Sequence, residues 1–152
     1  MLTRRGLAIL AAATGAALVV GYARRSPAFD GQKLDVSEAH RLAGLGLITL
    51  IDIRRPDEWA ATGVGKGAHP LDMRRDDFLD ELTRLTGGAR NAPVALICAR
   101  GVRSARLANR LKAAGYSHII DVPEGMLGSG AGPGWLAAGL PVTTVPVTAT
   151  QD

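Results

Sequence analysis

Short apolar runs alternate with amphipathic segments through most of the chain. Three runs have the length and composition of buried strands, namely residues 47–54, 94–97 and 119–122. Weaker strand signals occur at residues 34–36 and 68–73, where a proline opposes pairing in the second. The remaining patterned segments are therefore expected to be helices or turns.

Helical patterns fill the intervals between these runs. Ser37 can cap a helix that ends at Gly44, and Pro56 opens a short helix after the run 47–54. Residues 75–85 and 104–112 carry apolar side chains at helical spacing. Because strands and helices alternate, the sequence predicts an α/β fold with a parallel central sheet and helices on both faces.

The first 25 residues follow a different pattern and are not expected to be part of the folded domain. Arg4 and Arg5 precede an apolar run from Gly6 to Ala23, which is typical of a bacterial export signal, and the adjacent arginines resemble the twin-arginine type. The run is also close to the shortest that spans a bilayer. Residues 1–25 are therefore expected to be a cleaved signal or a membrane anchor, with the protein periplasmic or facing the periplasm.

The rest of the chain is interpreted as one domain. Residues 26–33 are expected to be a linker, 34–142 the domain and 143–152 a tail. The formal net charge of +4 comes from four arginines in the first 25 residues, since basic and acidic residues balance from Ser26 onward. The body of the chain has no basic stripe and no aromatic platform, so the sequence does not indicate binding to nucleic acid. A single cysteine excludes intramolecular disulfides and cysteine-based metal sites.

That cysteine, Cys98, follows the apolar run Val94 to Ile97 and precedes a helical pattern. It is therefore expected at the carboxyl edge of a parallel sheet, where such sheets bind ligands. The unpaired N–H groups of a helix N-terminus, together with Arg100 and Arg103, favour a thiolate there. The alternative is a buried core thiol with no chemistry.

The stretch Cys98-Ala99-Arg100-Gly101-Val102-Arg103 resembles the active-site loop of rhodanese-type sulfurtransferases. Related phosphatase and arsenate-reductase loops have one more residue between cysteine and arginine, which suits a tetrahedral oxyanion rather than one extra sulfur.

Other blocks resemble the same family in the same order. The strand ending Asp52-Ile53-Arg54 is followed by acidic residues and a tryptophan, and residues 135–142 resemble the closing block with a tryptophan helix. The histidine that the family usually has after Gly63 is absent, and the turn at Glu124-Gly125 has one glycine rather than two.

The resemblance implies a rhodanese-like fold and transfer of sulfur through a persulfide on Cys98. It implies that the N–H groups of Ala99, Arg100, Gly101, Val102 and Arg103 cradle the persulfide. Arg103 is expected to brace the loop, through carbonyls or a carboxylate such as Asp52, while Arg100 attracts the donor. The donor is a small sulfur-containing anion such as thiosulfate, the acceptor is a thiol or cyanide, and no metal or organic cofactor is implied.

Several alternatives stay open on the sequence alone. Asp52 and Arg54 either form a buried ion pair that fixes the active-site loop or only bridge a strand end. Residues 128–134 are either a flexible surface loop or a rim that shapes access to Cys98. The whole domain is either an enzyme or a rhodanese-like module that carries sulfur or senses oxidation without turnover. The oligomeric state is open.

Overall fold

The computed structural model of the protein describes residues 28–146. Within them a five-stranded parallel sheet has the strand order β1-β6-β5-β2-β4, and β3 and β7 form a small antiparallel ribbon. The strands are β1 Gln32–Lys33, β2 Thr49–Asp52, β3 Val64–Gly65, β4 His69–Pro70, β5 Val94–Ile97, β6 Ile119–Val122 and β7 Val142–Thr143. The helices are α1 Val36–Gly44, α2 Pro56–Thr62, α3 Phe78–Leu85 and α4 Val102–Ala113.

The predicted α/β fold with a parallel central sheet and helices on both faces is confirmed. The three strongest apolar runs form the adjacent central strands β2, β5 and β6, and every residue of β5 and β6 is buried. A strand covered on both faces is apolar at most positions, which explains why these runs are nearly continuous rather than alternating; Asp52 in β2 and Asp121 in β6 are the buried acidic exceptions.

Helices cover both faces of the sheet. On one face, α3 and α4 place Leu82 and Leu107 against Ile51 and Leu96. On the other face, Ala39 of α1 packs in a second cluster with residues of the central strands and with Trp135; this cluster includes Leu50, Ile97, Ile120 and Val122. The sheet therefore lies between two separate apolar cores, one on each face.

The outer elements differ from the prediction. The linker and the tail each contribute strand residues, since residues 32–33 pair with β6 and Thr143 pairs with Val64. The strand expected over 68–73 is limited to His69–Pro70, and Pro70 lacks the N–H that would extend pairing. Residues 135–139 form turns rather than the expected tryptophan helix.

Three helices also begin at positions other than those expected. Helix α3 begins at Phe78 rather than at residue 75. Asp35 rather than Ser37 caps α1, because its carboxylate accepts a hydrogen bond from the N–H of Glu38 at 2.7 Å. Helix α4 begins at Val102, whose side chain is 66% exposed instead of lying on the apolar face. Ser104 and Ala108 occupy the buried face near its start.

The N-terminal segment 1–25 lies outside the described residues, as does the tail beyond residue 146. No helix within residues 28–146 is long and apolar enough to cross a bilayer.

Candidate active site

Cys98 lies directly after β5, at the carboxyl edge where β2, β5 and β6 end at the same level. Asp52, Ile97 and Val122 are register partners across these three strands. The chain then turns through residues 98–101 and enters α4. The side chain of Cys98 is therefore placed at the crevice beyond the strand ends, which is where open parallel sheets bind ligands.

The loop turns tightly around the sulfur atom. The N–H of Gly101 donates to Sγ of Cys98 at 3.2 Å, and Oγ of Ser104 lies 3.6 Å from the same sulfur. Cys98 is 1% exposed, so a few protein groups rather than water surround the thiol. Since Gly101 is also the N-cap of α4, the positive end of that helix faces the sulfur.

Two glycines allow the loop to approach the turn after β6. Gly101 has φ of 82°, and a Cβ there would collide with the carbonyl oxygen of Pro123. Gly125 has φ of 71°, and a Cβ there would collide with the carbonyl group of Ala99. Both positions require a left-handed backbone as well as empty space, so only glycine fits.

Backbone hydrogen bonds join the loop to the segment after Gly125. The N–H of Met126 donates to the carbonyl of Cys98 at 2.8 Å, and the N–H of Leu127 donates to that of Ala99 at 2.9 Å. The guanidinium of Arg100 donates to the carbonyl of Gly128 at 3.1 Å. The active-site loop is therefore fixed to residues 126–128 rather than held by α4 alone.

Residues 128–134 form a turn that is held by hydrogen bonds. Ser129 and Gly132 form an isolated bridge, and the hydroxyl of Ser129 donates to the carbonyl of Pro123 at 2.7 Å. The buried carboxylate of Glu124 accepts from the N–H of Gly134 at 3.0 Å. Of the two interpretations of this segment, the contact between Arg100 and Gly128 favours a rim beside the active-site loop.

Arg103 has a different partner from the one expected. Its guanidinium binds both carboxylate oxygens of Glu58 in α2, at 2.8 Å and 2.7 Å, and not Asp52. This pairing lowers the pKa of Glu58, chiefly through the hydrogen bonds from Arg103. Arg103 thus ties the start of α4 to α2, and Glu58 is a site residue that sequence reasoning missed.

Asp52 and Arg54 do form a buried ion pair, with Nη2 of Arg54 2.8 Å from Oδ2 of Asp52. Arg54 also donates to Oγ1 of Thr62 at 3.0 Å and to the carbonyl of Gly63 at 2.8 Å. None of the described hydrogen bonds of this pair reaches residues 98–103. The pair therefore fixes the end of α2 against β2. The pKa of the Arg103 guanidinium is raised chiefly by Glu58, and the charge of Asp52 also acts on Arg103 and helps to raise it.

Replacing Arg103 tests whether activity depends on the bidentate contact with Glu58 or only on the positive charge of Arg103. We expect Arg103→Lys to lose most of the activity that Arg103→Ala loses, because an ammonium cannot bind both oxygens of Glu58 in a fork. Steady-state kinetics should show lower kcat for both variants. Arg84→Lys, on the exposed pair with Glu81, is the matched control and should leave kcat unchanged. Full activity of Arg103→Lys would contradict the bracing role.

Within residues 28–146, no three His, Cys, Asp or Glu side chains come together in a way that could hold a metal ion. The polar groups at the sulfur are a backbone N–H and a hydroxyl, and the guanidinium of Arg103 interacts electrostatically with Cys98. This set suits a nucleophilic sulfur or an anion.

The fold of this chain is similar to that of known proteins. The chain is similar to the polysulfide-sulfur transferase homodimer of Wolinella succinogenes, with 27% identity over 81% of this chain and 85% of that one and a TM-score of 0.59. It is also similar to the rhodanese-like domain of the Alr3790 protein from Anabaena, with 17% identity over 80% and 86% of the two chains and a TM-score of 0.59. No curated protein matches the chain.

The model of the family described as "Rhodanese-like domain" matches residues 35–128, which include α1, the central strands, the cysteine loop and the turn at Gly125. This match covers more than half of the chain and includes Cys98. The chain therefore belongs to the rhodanese-like domain family.

Proposed function

We propose that this protein is a sulfurtransferase that moves a sulfane sulfur from a small anionic donor to a thiophilic acceptor through a persulfide on Cys98. The observation that carries the proposal is the position of Sγ. It lies at a strand-to-helix turn, accepts a hydrogen bond from the N–H of Gly101 and is 3.6 Å from the hydroxyl oxygen of Ser104. This setting stabilises negative charge on sulfur, and the loop is too short for a tetrahedral oxyanion.

The reaction has two displacement steps. The thiolate of Cys98 attacks the outer sulfur of the donor, and the bond between that sulfur and the rest of the donor breaks with its electron pair leaving on the donor. With thiosulfate the leaving group is sulfite. An acceptor nucleophile then attacks the outer sulfur of the persulfide, and the electron pair of the broken S–S bond returns to Cys98. Each step is a nucleophilic displacement on sulfur.

Arg100 is the group that attracts the donor in this proposal. Its described hydrogen bond goes to the carbonyl of Gly128, which is neutral, so its charge is not cancelled by that contact. Arg103, in contrast, is paired with Glu58. Thiosulfate and polysulfide both carry negative charge, and the similarity to a polysulfide-sulfur transferase supports a donor of this class.

Arg100→Ala is expected to raise KM for an anionic donor several-fold with a smaller loss of kcat. The reason is that a long-range charge at the mouth of the loop acts on encounter and binding more than on bond exchange. The salt dependence of kcat/KM should weaken in the variant, which kinetics at two ionic strengths would show. Arg110→Ala, on the exposed side of α4, is the control for net charge. An effect on kcat alone would contradict this role.

The proposed function itself is tested with the wild-type protein. Thiocyanate formed from thiosulfate or polysulfide with cyanide should appear catalytically, whereas phosphate should not be released from an aryl phosphate. The mass of the protein after exposure to donor should increase by one sulfur atom. A stable added sulfur without turnover would favour the sulfur-carrying module, and no added sulfur would refute the proposal.

We also propose that residues 1–25 direct the protein out of the cytoplasm, on the basis of Arg4, Arg5 and the apolar run that follows. Fractionation of cells that express the full chain is expected to place the domain in the periplasm or on the membrane. The mass of the recovered protein distinguishes cleavage from anchoring. Replacing Arg4 and Arg5 with lysine tests the twin-arginine route, and full-length soluble protein in the cytoplasm would contradict export.

A further inference from the structure

Glu124 is a buried carboxylate in the turn after β6, one residue before Gly125, and it is 5% exposed. Its Oε1 accepts a hydrogen bond from the N–H of Val36 at 3.2 Å, and its Oε2 accepts one from the N–H of Gly134 at 3.0 Å. Backbone donors therefore bind both oxygens, which offsets the cost of removing the charge from water. The side chain thereby joins the start of α1 to residues 128–134, here called the rim turn.

The start of α1 gives this carboxylate a fixed position. Val36 is the first residue of the helix, so Glu124 lies at its positive end. The helix is already capped by Asp35, which accepts from the N–H of Glu38. Since the cap is complete without Glu124, the contact with Val36 serves to hold Glu124 in place.

The glycines of the rim turn allow it to close around the carboxylate. A Cβ on Gly132 would collide with the carboxyl group of Glu124, and a Cβ on Gly134 would collide with the backbone of Gly128. The backbone of the turn therefore packs directly on Glu124, and the two ends of the turn touch each other. This close packing gives the glycine-rich segment a structural reason that its composition alone does not supply.

The first residue of the rim turn holds Arg100. The guanidinium donates to the carbonyl of Gly128 at 3.1 Å, and the adjacent N–H of Leu127 donates to the carbonyl of Ala99. An arginine side chain has several rotatable bonds, so a fixed acceptor limits the places that its charge can occupy. The position of this charge beside the cysteine loop therefore depends on the position of Gly128.

We propose that Glu124 is a positioning residue that acts through the rim turn to place the charge of Arg100. This inference rests on the proposed function, in which Arg100 attracts an anionic donor. The carboxylate fixes the closing end of the turn, the turn fixes the carbonyl of Gly128, and that carbonyl fixes the guanidinium. Because Glu124 acts through other residues, its loss should weaken the binding of anions and leave bond exchange at Cys98 nearly unchanged.

The experiment compares the alkylation of Cys98 by iodoacetate and by iodoacetamide in the full chain. With either reagent the thiolate forms an S–C bond, and iodide leaves with the electron pair of the broken C–I bond. Both reactions need the thiolate, so the ratio of their rate constants cancels the thiolate fraction and reports the charge near the sulfur. Cys98 is the only cysteine, so the ratio refers to this one site.

Arg100→Ala is expected to lower the ratio of the iodoacetate rate to the iodoacetamide rate several-fold, and Glu124→Gln to lower it about twofold or more. Glutamine keeps the size of the side chain but has one acceptor atom, so its NH₂ group faces the N–H of either Val36 or Gly134. Asp35→Ala is the matched control, because it removes a hydrogen bond from the same helix end and should leave the ratio unchanged.

A second pair of variants tests the same contact from the side of the rim turn. Gly132→Ala places a Cβ against the carboxyl group of Glu124 and should lower the ratio as Glu124→Gln does. Gly130→Ala is its control, since a Cβ at Gly130 meets no described atom within 4 Å. Circular dichroism and Tm confirm that each variant is folded, and the glycine pair decides the question if Glu124→Gln does not fold.

A double-mutant cycle tests whether Glu124 acts through Arg100. In an Arg100→Ala background, Glu124→Gln should change the ratio by less than half of its effect in the wild-type background, because the charge that it positions is gone. Equal effects in both backgrounds would overturn the proposal. So would a ratio that Glu124→Gln or Arg100→Ala leaves unchanged.

The alkylation needs no sulfur donor, so it separates this proposal from the proposed function. A protein that makes no thiocyanate but shows the coupled loss of preference would refute the proposed function and leave the role of Glu124 intact. A protein that transfers sulfur while Glu124→Gln leaves the ratio unchanged would do the reverse. In a protein that transfers sulfur, Glu124→Gln should also raise KM for thiosulfate, and a fall in kcat alone would contradict the positioning role.

Discussion

Cys98→Ser is expected to abolish sulfur transfer, with a loss of roughly a thousandfold or more, while the protein stays folded. Serine is only slightly smaller than cysteine, so the substitution leaves almost no cavity. The serine hydroxyl can still accept a hydrogen bond from the N–H of Gly101. An alkoxide is far less accessible than a thiolate near neutral pH, so the nucleophile is lost. Thiocyanate formation measures the activity, and urea denaturation measures the free energy of unfolding.

The matched control for this variant is Ser117→Ala, which changes one exposed hydroxyl away from the loop and should leave activity unchanged. Because the chain has no other cysteine, Cys98→Ser should also gain no sulfur mass after exposure to donor. Activity within about tenfold of wild type, equal to about 1.4 kcal/mol of transition-state energy, would contradict the assignment of Cys98 as nucleophile.

The central strands were predictable because burial on both faces favours a continuous apolar sequence. Residues 94–97 are apolar at every position and residues 119–122 at every position except Asp121, and the structure has both as strands with these bounds. The outer strands are two residues long, so their sequence carries little periodicity. Their pairing depends on neighbours that are distant in the chain, and propensity alone does not report such contacts.

The same distinction applies to the candidate site. The position of Cys98 follows from local sequence, since an apolar strand leads into the cysteine and a glycine with two arginines leads out. The partner of Arg103 does not follow, because Glu58 is 45 residues away and several other acids were equally available.

Arg54 and Asp52 form the most buried charged contact of the described chain, and both side chains are at most 1% exposed. Nε of Arg54 lies 3.0 Å from Oδ1 and Nη2 lies 2.8 Å from Oδ2, so the contact is bidentate. The remaining donors of Arg54 bind Thr62 and Gly63 at the end of α2. The hydrogen-bond donors of this guanidinium are therefore satisfied, and the carboxylate of Asp52 balances its charge.

Asp52→Ala is expected to destabilise the protein by about 3–5 kcal/mol, because it leaves a buried guanidinium without its carboxylate. Urea denaturation at neutral pH measures the loss, and Asp57→Ala, on an exposed pair with Arg55, is the control and should cost under about 1 kcal/mol. The double variant Asp52→Ala/Arg54→Met removes both charges and should be more stable than Asp52→Ala alone, since no unpaired charge remains. If Asp52→Ala costs no more than Asp57→Ala, the pair is not what holds α2, and Glu58 with it, against β2.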